Sequence, residues 1–165
     1  MKIHDDHMFH GAALTQIAEH PQFTAINAFK RAGAVSRSAF RVNDDIGVYL
    51  KYASKPKAPY GEYVFTFGEE HRHELEALHD TCTRVFLALV CVHERQICCL
   101  PYSKFLELLT VRQKAKGSSE AQYTVLVTAP AGKSFRVYMN APGRRNTKLG
   151  DPLIISRRDF PKIVF

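Results

Sequence analysis

The sequence has no run of the ~20 apolar residues that a membrane-spanning helix requires. Its longest apolar run, Val85 to Val92, has the length of a strand, so no membrane partner is expected. The opening residues, Met1-Lys2-Ile3-His4-Asp5-Asp6-His7, lack the apolar core of a secretory signal, which predicts a cytoplasmic protein. Cysteine is sparse. Cys82, Cys91, Cys98 and Cys99 lie within 18 residues of one another in apolar surroundings and contain no Cys-x-x-Cys pair. Reduced, buried thiols are expected there rather than a disulfide framework. Internal repeats and low-complexity tracts are also absent, which excludes a solenoid or a disordered chain.

What is present is the composition of a packed domain: 165 residues, 45% hydrophobic and 24% charged. The hydrophobic patterning predicts one α+β domain over 1–165, built on a mixed, mainly antiparallel sheet flanked by about three helices. Residues 1–10 are expected as a solvated end. Leu14, Ile17 and Ala18 mark a first helix, and Phe23, Ile26 and Phe29 before Gly33 suggest a second; an extended stretch over 23–26 competes with it. Strands follow at 38–42, 46–52 and 63–67, then a helix from Glu69 to about Asp80. Val85–Val92 has no polar face, so it should be a central strand covered on both sides. Ile97–Leu100 returns antiparallel beside it, Phe105, Leu106, Leu108 and Leu109 give another helix, and 123–127 and 134–138 form a last strand pair. Residues 140–165 read as a basic, loop-rich tail, with Leu153-Ile154-Ile155 as a short strand within it.

Charge is unevenly distributed. The chain carries 23 Lys and Arg against 16 Asp and Glu, and residues 1–82 hold 9 of the basic and 11 of the acidic groups. The excess therefore sits in the second half, most densely over 111–165. A basic segment of this kind favours polyanions, because phosphate neutralisation supplies most non-specific nucleic-acid affinity. Arg144, Arg145, Lys148, Arg157 and Arg158 are the expected phosphate contacts, and Phe40, Tyr49, Tyr52 and Tyr60 are candidates to stack on bases.

The order helix, three strands, helix, strand over residues 12–92 resembles the core of restriction-endonuclease-like nucleases. That resemblance implies an Asp on the second strand and a Glu-x-Lys on the third, with carboxylates holding Mg²⁺ and the lysine assisting attack by water. Asp44 and Asp45 stand just before the expected second strand. Glu62 opens the third, but no lysine follows two positions later, and Lys51 would have to substitute from a neighbouring strand. The same three residues, Asn43-Asp44-Asp45, are equally those a tight turn demands.

Other constellations are weaker. His4, His7 and His10 recur every three residues and would share a helix face, a spacing that matches no zinc site. His73-Glu74 is followed by Ala77 where a zincin requires histidine. Cys91 and His93 alternate onto one side of a strand and, with Cys98 or Cys99, define a conceivable Cys/His metal set without knuckle spacing. Gly132-Lys133-Ser134 ends like a phosphate-binding loop, but Val127 stands at the position five residues before Gly132, where the motif's first glycine belongs.

Three functions follow from the sequence. The leading one is nucleic-acid binding through the basic C-terminal third, with no assigned catalysis and no cofactor. The others are a protein-interaction module for an acidic partner, and a divergent Mg²⁺-dependent nuclease using Asp44 or Asp45, Glu62 and Lys51.

Overall fold

A computed structural model describes all residues, 1–165. Three layers stack on one another. The middle layer is a five-stranded sheet, hereafter sheet A, formed by β1 (Ile26–Arg31), β2 (Ala34–Val42), β3 (Ile46–Ala53), β5 (Arg84–Cys91) and β6 (Gln96–Pro101) in that spatial order. All its pairings are antiparallel except β3 with β5, which run parallel from Ile46 opposite Arg84 to Ala53 opposite Cys91. A parallel pair needs a crossover, and here the connection carries β4 (Glu62–Gly68) and α2 (Glu69–Thr81).

β5 is buried on both faces, as its uninterrupted apolar sequence requires. Val85, Leu87, Leu89 and Cys91 enter one core and Phe86, Ala88 and Val90 the other. It is an interior strand between β3 and β6. The first core lies between sheet A and a layer made of α2, α3 (Tyr102–Lys116) and a second sheet. Sheet B contains β4, β7 (Gln122–Thr128), β8 (Phe135–Tyr138) and β9 (Leu153–Ile155), all antiparallel. The second core is covered by α1 (Asp5–Ala18) and by Phe160 and Val164 of the tail, which tie the C-terminal segment to the body.

Several elements differ from the sequence expectations. The helix expected from Pro21 to Gly33 is replaced by β1. Ala32 and Gly33 both have positive φ, 49° and 79°, which closes a two-residue hairpin into β2 and outweighs the three-residue spacing of Phe23, Ile26 and Phe29. Residues 5–10, expected as a solvated end, are the first turns of α1. His10 is buried there, with its ring Nδ1 3.0 Å from the Arg37 carbonyl. The strand expected third in the sheet, 63–67, is β4, and it pairs with β7 in sheet B instead of with β3.

Gly47 on β3 marks a close approach. A Cβ at this position would lie 2.7 Å from Leu78 Cγ and 3.1 Å from Val85 Cγ2. Glycine thus lets α2 press directly onto sheet A.

Candidate nucleic-acid interface

Alternation along the strands divides sheet B sharply. Tyr63, Phe65 and Phe67 of β4, Tyr123, Val125 and Val127 of β7, and Phe135 and Val137 of β8 all enter the first core. Glu62, Val64, Thr66, Thr124, Leu126, Thr128, Arg136 and Tyr138 therefore occupy the outer face. Register aligns Val64, Leu126 and Tyr138 in one row.

Two segments rise over this outer face. One is the β3–β4 connection, pinned where Lys57 N–H donates to the Glu62 carbonyl at 2.8 Å and Gly61 N–H to the Lys57 carbonyl at 2.9 Å, with Pro59 and Tyr60 at its tip. The other is an arm over 139–149. It is closed by Ala141 N–H to the Thr147 carbonyl at 2.7 Å and Leu149 N–H to the Met139 carbonyl at 3.0 Å, and carries Arg144 and Arg145 at its turn. Between them and the C-terminal half of α3 lies a cleft of about 580 Å³, with Lys57, Tyr60, Arg112 and Arg145 among its walls.

The electrostatics of the cleft depend on which cations are already engaged. Arg112 is bound to Glu120, whose carboxyl it holds below the usual range. Lys57 and Arg145 are exposed and form no ion pair, and Lys148, close by on the arm, lies with Nζ 5.0 Å above the Tyr138 ring. Glu62 is the acidic group on the floor. It is 8% exposed, accepts a hydrogen bond from the Tyr138 hydroxyl, and has its pKa raised by burial, with Lys148 opposing that shift.

The five basic residues expected at the interface thus separate into two groups. Arg144, Arg145 and Lys148 share the arm beside the cleft. Arg157 and Arg158 lie elsewhere, near Lys133 on the β7–β8 connection. Arg157 is internally committed: it donates to the carbonyls of Lys133 at 2.6 Å and Pro130 at 2.8 Å and to Gln96 Oε1 at 2.8 Å. It also pairs with Glu94 at 3.7 Å and lies over the Phe135 ring. Of the four aromatics, only Tyr60 is exposed, at 43%; Tyr49 is buried, and Phe40 and Tyr52 are partly buried against the second core. Lys57 went unpredicted as a contact because it lies in the acidic half of the chain. Its position in a proline-bounded loop beside Tyr60 was the available signal.

The nuclease candidates do not converge. Asp44 and Asp45 form the β2–β3 turn with Asn43, whose side chain accepts hydrogen bonds from Thr24 N–H at 2.7 Å and Thr24 Oγ at 2.9 Å, and the Asp45 carbonyl accepts from Thr83 N–H at 2.9 Å. Lys51 lies six residues along β3, roughly 20 Å away at strand spacing, with Nζ 5.0 Å above the Phe67 ring. Glu62 is in the other sheet. Because β1 adds a strand and β4 leaves, the third strand of the meander is β3. Its Tyr49-Leu50-Lys51 keeps the lysine that the resemblance requires but puts a buried tyrosine where the carboxylate belongs.

Cys98 and Cys99 face opposite cores, and His93 is exposed on the β5–β6 turn, so the conceivable Cys/His set does not assemble. No three His, Cys, Asp or Glu side chains are placed to share a metal ion. No helix is long and apolar enough to cross a membrane. The sequence matches no protein-family model, and neither the curated proteins nor the solved structures yield a match.

Proposed function

We propose that this protein binds single-stranded nucleic acid across the outer face of sheet B. The carrying observation is the cleft between the 57–60 turn and the 139–149 arm, where Lys57 and Arg145 stand without ion-pair partners over a floor that includes Val64, Thr124 and Leu126, with Lys148 close by and in no ion pair, its charge acting on the buried Glu62. Single-strand binding combines cations that follow the phosphate backbone with an aromatic face that stacks on bases. Tyr60 supplies the exposed ring, and the cleft volume falls in the range of small-ligand pockets, about 300–1,000 Å³. Splayed, unstacked bases fit such a recess in a way that a paired duplex does not.

Fluorescence anisotropy of labelled 12-nucleotide RNA and DNA, titrated at several salt concentrations, tests the reading. Binding at low salt should weaken linearly in log–log form as salt rises. Replacing Lys57, Arg145 and Lys148 together by glutamate should reduce affinity at least tenfold and flatten the salt dependence, while Arg158→Glu should have a much smaller effect. Undetectable binding at low salt, or unchanged affinity in the triple variant, would refute it.

A further inference from the structure

The cleft contains a group that a phosphate-only site would avoid. Glu62 is nearly buried on the floor, in none of the four ion pairs, and its carboxylate receives one internal hydrogen bond, from the Tyr138 hydroxyl. A carboxylate is an acceptor with roughly four lone-pair sites, so most of its capacity is unmet. It would also repel a phosphate placed beside it. The same cleft is lined by Asn140, whose side-chain Oδ1 is buried and has no hydrogen-bond partner. Two acceptors thus border one recess whose floor also carries Val64, Thr124 and Leu126, while Lys57 and Arg145 stand in its walls and Lys148 lies near enough to Glu62 to favour its charged form.

We infer that Glu62 reads the edge of a nucleobase rich in N–H donors, foremost guanine, whose phosphate is held by Lys57 and Arg145. This inference rests on the proposed single-strand binding and adds a base preference to it. Guanine presents two adjacent donors, N1–H and the 2-amino group, which match the two oxygens of one carboxylate. Uracil presents a single N3–H between two carbonyl oxygens, and these oxygens face the carboxylate unfavourably. A site built around an acceptor discriminates strongly because the wrong base leaves that acceptor desolvated and unpaired.

Three 12-nucleotide RNAs decide the matter: oligo(U), alternating U and G, and alternating U and inosine, which retains N1–H but lacks the 2-amino group. The guanine-containing strand should bind at least tenfold more tightly than oligo(U), with the inosine strand between them. Glu62→Gln should bring the guanine and uracil strands to within about twofold of each other. If all three strands bind the wild-type protein equally, the inference fails and single-strand binding stands. If none binds, the binding reading itself fails. A guanine preference that survives Glu62→Gln overturns the assignment to this residue, and the wild-type comparison remains decisive should the variant not fold.

Discussion

Arg112 grips the carboxylate of Glu120 at both oxygens, Nε to Oε1 at 2.6 Å and Nη2 to Oε2 at 3.1 Å, and its remaining Nη1 donates to the Asn140 carbonyl at 2.6 Å. One guanidinium thus joins α3, the segment before β7 and the base of the 139–149 arm. Charge-assisted hydrogen bonds of this kind contribute about 1.5–3 kcal/mol. Arg112→Gln should therefore lower stability by roughly 2 kcal/mol in a urea titration and speed tryptic cleavage at Arg144 and Arg145. The pH signature follows from Glu120. Its pKa is lowered in the folded state, so its stabilisation is complete above the ordinary glutamate range and disappears as pH falls through the folded-state value. The variant should lose that acid-side decline.

Glu62 has the opposite sign. Burial raises its folded-state pKa above the ordinary 4.5, so the folded protein holds this proton more tightly than the unfolded chain. The resulting contribution to stability is full below pH 4.5 and is lost as pH rises through the raised folded value. Glu62→Gln should accordingly be at least as thermostable as the wild type at pH 7, with the difference shrinking toward pH 4. A large loss of melting temperature at pH 7 would show that the ionised carboxylate stabilises the fold.

Arg157 and Arg158 are adjacent and chemically identical, yet only Arg157 is clasped by Lys133, Pro130, Gln96 and Glu94. Arg157→Ala should cost about 2 kcal/mol because it leaves several acceptors without donors. Arg158→Ala should change stability by no more than about 0.5 kcal/mol. Paired denaturant melts compare the two.

Burial pushes the Cys91 thiol up to about 12 and raises Cys98 and Cys99 as well. The thiolate is the reactive form, so none of the three should react with iodoacetamide at pH 8 under native conditions. All should react in denaturant, as read by intact-mass spectrometry. Rapid native labelling at these positions would contradict the packing described.

Gly47→Ala should destabilise the protein by about 1–3 kcal/mol, the usual cost of overpacking, because the new methyl meets Leu78 and Val85. Calorimetric unfolding provides the measurement.

Much of the architecture was legible where local and tertiary signals agree. Eight consecutive apolar residues from Val85 allowed only a doubly covered strand, and the apolar spacing of Phe105, Leu106, Leu108 and Leu109 marked α3, which ends at Gly117 with φ of 80°. β1 was obscured because apolar residues three apart mimic a helix face, while the decisive signal was the Ala32-Gly33 turn beyond them. Sheet B was not foreseen as a separate sheet: nothing local to Tyr63–Phe67 distinguishes β3 from β7, nearly sixty residues later, as its partner. The cleft was hidden for the same reason. Lys57 and Arg145 meet only after both sheets form, and a charge count along the chain assigns them to different halves. The difference between Arg157 and Arg158 resides wholly in the partners that each one meets.

The excursion between the parallel strands β3 and β5 has a topological consequence. Sheet A is drawn from 26–53 and 84–101, and sheet B from 62–68 and 122–155. The two are therefore interleaved along the chain, and no single break in the backbone separates one complete sheet from the other. A cut between β3 and β4 divides sheet A, and a cut after α3 divides sheet B. Fragments made at either point should be competent only when recombined, a property that makes the two loops suitable sites for splitting the chain into complementing halves.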